Sequence, residues 1–412
     1  MSPHKTVARH GRTRVRVLFL GAGASAAAGY PLGTKLLVEM EQYFRRGNVE
    51  ANARQYWRWF QDAQVQANAP FRLLWRSSNP EVIASWLDLC VEALSSDDDD
   101  IEAEAERLVR ESLPSDPIER ARAMERGSEA IQARYDDPDR QPYVAALRAR
   151  VGFLHALATY LRDCHFRDSR ESPRGPDYLR DRMSTLQSGD VVVTTNYDSL
   201  AERCLLAIGL WFPSDGYGFD VPLTSIHPSD LPAVSAVSRG KLPVAPNLKA
   251  KVKVLKLHGS VGWMRHAGHF GPAVLGRTDY RNQRLLYLDQ HLLRGLPWET
   301  PFFDSREPPF GDPGSPEIVP PTFFKRTKGN EFREVWAAAG EALTSASDLE
   351  VIGASLPASD AGVRALLTPL RSRVRRRDLR VVVQVTSEAA YENWCDVLGD
   401  NVAWNKAPFG QQ

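Results

Sequence analysis

The feature that most constrains this chain is an apolar strand that runs directly into a glycine turn. The segment Arg14–Leu20 is rich in Val and Leu, and the sequence GAGAS follows it at positions 21–25. A helical pattern then runs from Thr34 to about Phe44. Strand, glycine turn and helix in this order are typical of the first unit of a nucleotide-binding domain, where the glycines let the backbone approach a pyrophosphate closely. A tight turn that binds no ligand is the alternative.

Four more strands are predicted in the C-terminal part of the chain. They are Val191–Thr195, Val252–Leu257, Glu350–Gly353 and Leu379–Val385. Short runs of β-branched residues without polar alternation are typical of strands that are buried on both faces. We therefore predict the α/β class, with a Rossmann-like parallel sheet, helices on both faces and an inserted α-helical module.

The segment between the glycine turn and the second strand has the periodicity of helices, and strand patterns are hard to find in it. This change in the sequence pattern predicts that the chain has three parts. Residues 1–45 form the first part of the nucleotide-binding domain, residues 46–175 form a helical insert, and residues 176–412 form the remainder of the domain.

One helix of the insert is predicted to begin at Asn79-Pro80, where a capping residue is followed by proline. The apolar face predicted for this helix consists of Ile83, Trp86, Cys90 and Leu94. The clustered aromatic residues of the insert are predicted to form its core, with a subunit interface as the alternative.

Charge and cysteine content exclude several classes of function. Lys and Arg together number 52 and Asp and Glu number 51, so the net charge of +1 provides no general attraction to nucleic acid or to an anionic membrane. The four cysteines are far apart in sequence, which argues against a zinc ribbon and a disulfide framework. Without a signal peptide or an 18-residue apolar run, we expect a cytoplasmic protein with no membrane contact.

Polar residues follow the strand at Val191–Thr195, within the sequence TTNYD. Ligands of open α/β sheets bind at the carboxyl ends of strands. Asn196 could therefore hydrogen-bond ribose hydroxyls or a water molecule, and Asp198 could interact with a carboxamide or a developing positive charge. The alternative is that both side chains only cap the following helix.

Two further strands also end in candidate residues. His258 follows Lys256-Leu257 and could accept a proton near neutral pH. Ser355 follows Gly353 and could contact a ribose or a phosphate. The nearby Asp360 could simply cap the helix that follows it.

Taken in order, these four motifs resemble the sirtuin-like superfamily, in particular its bacterial anti-phage defence branch of NADases. They read GAGAS at 21–25, TTNYD at 194–198, KLHGS at 256–260 and GASLPASD at 353–360. The segment PPTFFK at 320–325 is also similar to that branch. The resemblance implies a sirtuin-like NAD-binding domain that the helical insert interrupts.

The resemblance also implies roles for individual residues. Asn196 would bind ribose and place the attacking water, Asp198 would lie near the nicotinamide carboxamide, and His258 would be the general base. The residues implied to bind NAD⁺ are Gly21, Ala22, Gly23, Ser25, Thr195, Gly259, Gly353 and Ser355. No metal is expected.

The activity implied is hydrolysis of the nicotinamide–ribose bond of NAD⁺, in an abortive-infection response to phage. The four-cysteine zinc ribbon of classical sirtuin deacylases is missing, which favours water over an acyl-lysine acceptor. The alternatives are an NAD⁺- or ADP-ribose-binding module that regulates a partner, and an NAD-dependent protein deacylase or ADP-ribosyltransferase. We expect a homo-oligomer, a possible HerA-type hexameric ATPase as partner, and contact with nucleic acid only through a partner.

Overall fold

A computed structural model describes the chain over most of its predicted sheet domain. It covers residues 15–46, 49, 51–66, 80–95, 140–171, 174–212, 215–219, 249–266, 285–288, 315–319 and 330–410. The strands are β1 (Arg16–Leu20), β2 (Val191–Thr194), β3 (Lys253–Lys256), β4 (Gly259–His266), β5 (Leu285–Leu288), β6 (Ser315–Ile318), β7 (Asp348–Ile352), β8 (Arg380–Gln384) and β9 (Val402–Asn405). The helices are α1 (Ala22–Ser25), α2 (Gly33–Arg45), α3 (Ala51–Gln66), α4 (Pro80–Leu94), α5 (Gln141–Glu171), α6 (Asp177–Met183), α7 (Leu200–Ala207), α8 (Asn330–Ser345), α9 (Ala361–Leu367), α10 (Arg371–Arg375) and α11 (Glu388–Leu398).

The main sheet has six parallel strands in the order β3-β2-β1-β7-β8-β9. With helices around it, this sheet confirms the predicted Rossmann-like α/β fold. The chain first moves outward from β1 to β2 and β3, then returns to the other side of β1 for β7, β8 and β9. The strand order therefore reverses between β1 and β7, the position where open α/β sheets bind their ligands.

Burial explains why the central strands carry no polar alternation. All four residues of β2 are buried, and so are the last four residues of β1. Both faces of these strands are covered, so an apolar side chain is favourable at every position. Strand β9 had not been predicted from the sequence. Its four residues, VAWN, alternate between buried and more exposed positions at the edge of the sheet, so they lack the continuous apolar run of a central strand.

A second, smaller sheet was also not predicted. Its three antiparallel strands lie in the order β5-β4-β6. Strand β4 begins at Gly259, only three residues after the end of β3 at Lys256, and Gly259 has a φ of +77°. An L-residue with a side chain is strained in this left-handed region, so glycine allows the chain to change direction there.

The described residues between 51 and 171 are helical and contain no strand. Helices α3, α4 and α5 pack together, and their core continues into the sheet domain. Phe44 of α2 stacks on Trp57 of α3 with ring centroids 5.1 Å apart. The domain boundaries at 45/46 and 175/176 remain predictions.

The predicted apolar face of α4 was partly wrong. Ile83 is buried as expected, but Trp86 is 43% exposed and Leu94 is 41% exposed. The buried side chains are instead Ala84, Leu87 and Val91, together with Ile83. Both sets of residues have helical spacing, so the periodicity could not choose between two overlapping faces of this helix.

No helix within the described ranges is long and apolar enough to cross a lipid bilayer.

Candidate active site at the carboxyl edge of the sheet

All four sequence motifs lie at the carboxyl ends of adjacent strands. In the order β3-β2-β1-β7, these strands end at Lys256, Thr194, Leu20 and Ile352. Parallel strands place all of these ends at one edge of the sheet. The backbone N–H of Leu257 donates to the carbonyl of Thr194 over 2.9 Å, and the N–H of Thr195 donates to the carbonyl of Leu20 over 3.1 Å. Motifs far apart in sequence therefore form one continuous edge.

The glycines of the first and last motifs bring their two turns into backbone contact. A Cβ atom at Gly21 would lie 2.4 Å from the Cα of Ala354, and a Cβ atom at Gly353 would lie 2.3 Å from the backbone nitrogen of Ala24. The N–H of Gly23 also donates to the carbonyl of Gly353 over 2.9 Å. The close approach visible here is between two turns, at the point where the strand order reverses. The packing of the two turns therefore requires glycine at these positions, whether or not a pyrophosphate binds there.

Ser25, Asn196 and Asp198 form one buried hydrogen-bonded cluster at this edge. The Ser25 hydroxyl donates to Oδ2 of Asp198 over 2.6 Å, and Nδ2 of Asn196 donates to Oγ of Ser25 over 3.0 Å. The same Asn196 nitrogen also lies 3.0 Å from the carbonyl oxygen of Gly21. Asn196 and Asp198 are each 8% exposed. The structure thus brings together two predicted catalytic residues and one predicted NAD⁺-binding residue.

The alternative role in helix capping applies to Asp198 and not to Asn196. Oδ1 of Asp198 accepts a hydrogen bond from the backbone N–H of Leu200 over 2.9 Å, at the start of α7. Its second oxygen is bound by Ser25. The Asn196 side chain donates to the Gly21 carbonyl and to Ser25 Oγ, and neither of these atoms belongs to α7. Asp198 therefore fixes the helix and the glycine turn together.

A fully buried ion pair lies directly behind this cluster. Nζ of Lys256 lies 3.0 Å from Oε1 of Glu202 on α7, and it also donates to the backbone carbonyl of Asp198. The Tyr217 hydroxyl donates to the same Glu202 oxygen over 3.3 Å. Burial raises the pKa of Glu202, and the attraction of Lys256 opposes that shift only in part. Sequence reasoning missed Glu202, although an acidic residue in the apolar helix sequence LAERCLLA is the signal that could have found it.

His258 pairs with Asp360, the last residue of the fourth motif. Nε2 of His258 lies 3.1 Å from Oδ2 of Asp360, and both side chains are nearly fully buried. Oδ1 of Asp360 accepts from the backbone N–H of Val363 over 3.3 Å, so the predicted capping role of Asp360 is also present. The pair connects the turn after β3 with the turn after β7. Asp360 thereby acquires a role toward His258 that its position in the sequence did not reveal.

A ring contact places His258 next to Tyr197, in the Asn196 loop. The rings of Tyr197 and His258 have centroids 6.2 Å apart. The His258 carbonyl accepts from the backbone N–H of Val319 over 2.8 Å, which fixes the His258 backbone. The imidazole and the Ser25–Asn196–Asp198 cluster therefore belong to the same edge of the sheet.

The other predicted NAD⁺-binding residues lie around this cluster and do not take part in its side-chain contacts. Thr195 is half-buried and bonds through its backbone, and Gly259 is buried. Ala22 and Ser355 are exposed, and the Ser355 carbonyl accepts from Asn393 over 3.0 Å. Ala22 and Ser355 are therefore exposed positions in the turns that follow β1 and β7.

Among the residues that the structure describes, no group of three or more His, Cys, Asp or Glu side chains could hold a metal ion. The expectation of a metal-free site remains a prediction.

Comparison with known proteins gives little further information. No protein-family model and no curated protein matches the sequence. A solved structure described as "The Structural basis of Sirtuin Substrate Affinity" is similar over 96% of this chain and 89% of that chain. The sequence identity is 12% and the TM-score is 0.32, so this likeness carries no argument about family or activity.

Proposed function

We propose that this protein hydrolyses NAD⁺ to nicotinamide and ADP-ribose at the carboxyl edge of its sheet. The observation that carries the proposal is the convergence of Ser25, Asn196 and Asp198 with the His258–Asp360 pair, where the strand order reverses. The order of the four motifs, which resembles that of the sirtuin-like defence NADases, supports the choice of NAD⁺ as substrate.

The chemistry of these side chains fits the bond to be broken. Departure of nicotinamide leaves a positively charged, oxocarbenium-like ribose, which is stabilised by nearby negative charge and by an oriented nucleophile. Asp198 supplies a carboxylate whose position is set by Ser25 and by the start of α7. Asn196 supplies an amide to bind ribose and orient water. His258, held by Asp360, supplies a base for the proton of the water.

In this structure the candidate site is closed to a substrate. Asn196 and Asp198 are each 8% exposed and His258 is 3% exposed, so they offer little surface to a substrate. Contact with NAD⁺ therefore requires the cluster or the segments that cover it to rearrange. Such burial fits an enzyme that is inactive until it is triggered. Control by homo-oligomerisation or by a HerA-type hexameric ATPase, in defence against phage, is part of this proposal.

The proposal is tested by measuring nicotinamide release from NAD⁺ by the purified chain, alone and with a HerA-type ATPase. Asn196→Ala and His258→Ala should each lower turnover by about a hundredfold or more, because a positioned amide or base contributes at least that much. Asn401→Ala, at an exposed site remote from the edge, and His155→Gln, in the helical region, are the matched controls and should retain activity. Circular dichroism would establish that each variant is folded.

Retained turnover in both Asn196→Ala and His258→Ala would contradict the proposal. The burial of the site favours a second candidate, a module that binds NAD⁺ or ADP-ribose and regulates a partner without chemistry. Calorimetry showing tight NAD⁺ binding, with no nicotinamide released under any of the conditions above, would select that candidate.

A further inference from the structure

A cavity lies between helix α2 of the sheet domain and helix α5 of the helical region. Its volume is about 720 Å³, within the range of small-molecule sites. The described residues that line it belong to α2, to α5 and to the segments next to α2. None of Ser25, Asn196, Asp198, His258 and Asp360 is among them.

The charges around this cavity favour an anion. Lys35 and Arg46 lie on its α2 side, both are exposed, and neither has an ion-pair partner within the described part of the chain. The acidic side chains of the lining are already engaged. Glu39 accepts a hydrogen bond from the Tyr160 hydroxyl over 2.8 Å, and Asp163 lies 3.1 Å from Nε of Arg167. The three cations of the lining, Lys35, Arg46 and Arg167, outnumber its two carboxylates by one, and the net positive charge suits a phosphate group.

The same cavity offers aromatic surface next to these charges. Tyr43 and Tyr160 both line it, with ring centroids 5.4 Å apart and ring planes at 64°. Tyr160 is buried and hydrogen-bonded to Glu39, so its ring is held in place. Aromatic side chains bind planar bases through their faces and edges. Cations beside the partly exposed Tyr43 ring, which packs on the fixed ring of Tyr160, match a mononucleotide in a cavity of this size.

We propose that this cavity is a second ligand site, which binds a phosphate-bearing nucleotide independently of the sheet edge. Its wall includes Gly29, and the short turn Ala26–Ala28 joins Gly29 to Ser25 of the edge cluster. The N–H of Tyr30 also donates to the carbonyl of Ser25 over 3.4 Å. A ligand in the cavity thus lies against the segment that carries Ser25. The inference concerns binding only and does not depend on NAD⁺ hydrolysis.

The experiment is a calorimetric titration of AMP into the full-length chain. The double variant Lys35→Glu/Arg46→Glu reverses the two exposed positive charges on the α2 side and should weaken AMP binding by about tenfold or more, about 1.4 kcal/mol or more. The matched control Arg58→Glu/Lys253→Glu makes the same change in net charge at exposed positions outside the cavity and should stay within about twofold. Asn196→Ala should leave the AMP affinity unchanged.

Three results would overturn the inference. The first is no detectable heat at AMP concentrations of about 1 mM. The second is an equal loss of affinity in the control pair, which would indicate general charge effects. The third is loss of AMP binding in Asn196→Ala, which would place the nucleotide at the sheet edge. None of these results bears on whether nicotinamide is released from NAD⁺, so the two proposals can fail separately.

Discussion

The carboxyl edge of the sheet and the helical region between residues 51 and 171 are both buried, but different interactions hold them. At the edge, Lys256 and Glu202 form an ion pair with no exposed surface on either side chain. In the helical region, Phe60 packs on Phe153 with ring centroids 5.1 Å apart. Polar contacts at the edge require specific partners in specific positions, whereas aromatic packing requires mainly volume and shape.

This difference predicts two kinds of response to substitution. Removing one member of a buried polar pair leaves the other without a partner, and the cost is the desolvation of that group. Removing an apolar side chain leaves a cavity, and the cost scales with its size. The edge should therefore respond to partner identity and to pH, and the aromatic core of the helical region mainly to side-chain volume.

The largest expected effect is that of Lys256→Met. The substitution leaves Glu202 buried without its counter-ion and leaves the Asp198 carbonyl without the lysine donor. We expect the free energy of unfolding to fall by about 3–5 kcal/mol, measured by urea denaturation.

The control for this prediction is the double variant Lys256→Met/Glu202→Leu. It removes both charges, so it should recover a substantial part of the lost stability, although the Tyr217 hydroxyl then loses its acceptor. If the double variant is no more stable than Lys256→Met alone, the loss comes from altered packing and the polar description of this edge is wrong.

The next effect in size is that of Gly353→Ala. The new Cβ would lie 2.3 Å from the backbone nitrogen of Ala24, and Gly353 has a φ of +66°. Backbone cannot move aside as a flexible side chain can, so we expect a loss of about 1–3 kcal/mol in the free energy of unfolding.

Gly340→Ala is the matched control for Gly353→Ala. Gly340 lies inside helix α8, and a Cβ there would meet Leu366 at 3.6 Å, an ordinary contact. Because alanine is the better helix former, this variant should be more stable by about 0.5–1 kcal/mol. Equal losses in both variants would show that the contact between the two turns is not what requires glycine.

A pH dependence is expected from Glu202. Burial raises the pKa of this carboxyl in the folded protein above its usual value of 4.5. Folding then favours the protonated form, so its contribution is complete below about pH 4.5 and is lost as the pH rises through the folded pKa. Glu202→Gln removes this contribution. Wild-type stability should therefore fall relative to the variant as the pH rises, by less than about 1.4 kcal/mol per pH unit, the limit for one proton.

Denaturation of the wild type and of Glu202→Gln between pH 5 and pH 8 measures this difference. The sign is decisive, because a normal ion pair with a lowered carboxyl pKa would make the wild type relatively more stable as the pH rises. That opposite trend would show that the attraction of Lys256 exceeds the effect of burial.

The two regions also differ in how much of them the sequence could predict. The residues of the edge could be predicted from short motifs at the ends of apolar runs. Parallel pairing of these strands is enough to bring Ser25, Asn196 and Asp198 to one place. The His258–Asp360 pair could not be predicted in this way, because the two residues follow β3 and β7, which are not neighbours in the sheet. Short strands such as β5, β6 and β9 also lacked a clear signal, since their pairing depends on neighbours that the local sequence does not reveal.

In the helical region, the sequence predicted that helices form but not which face of α4 is buried. Trp86 and Leu87 are neighbours on this helix, yet Trp86 is 43% exposed and Leu87 is 3% exposed. Trp86→Ser should therefore change the free energy of unfolding by no more than about 0.5 kcal/mol. Leu87→Ala, its matched partner, should cost about 2–5 kcal/mol, since it leaves a cavity. A large loss in Trp86→Ser, measured by urea denaturation, would show that the indole packs against another surface and is not a solvent-exposed side chain of this helix.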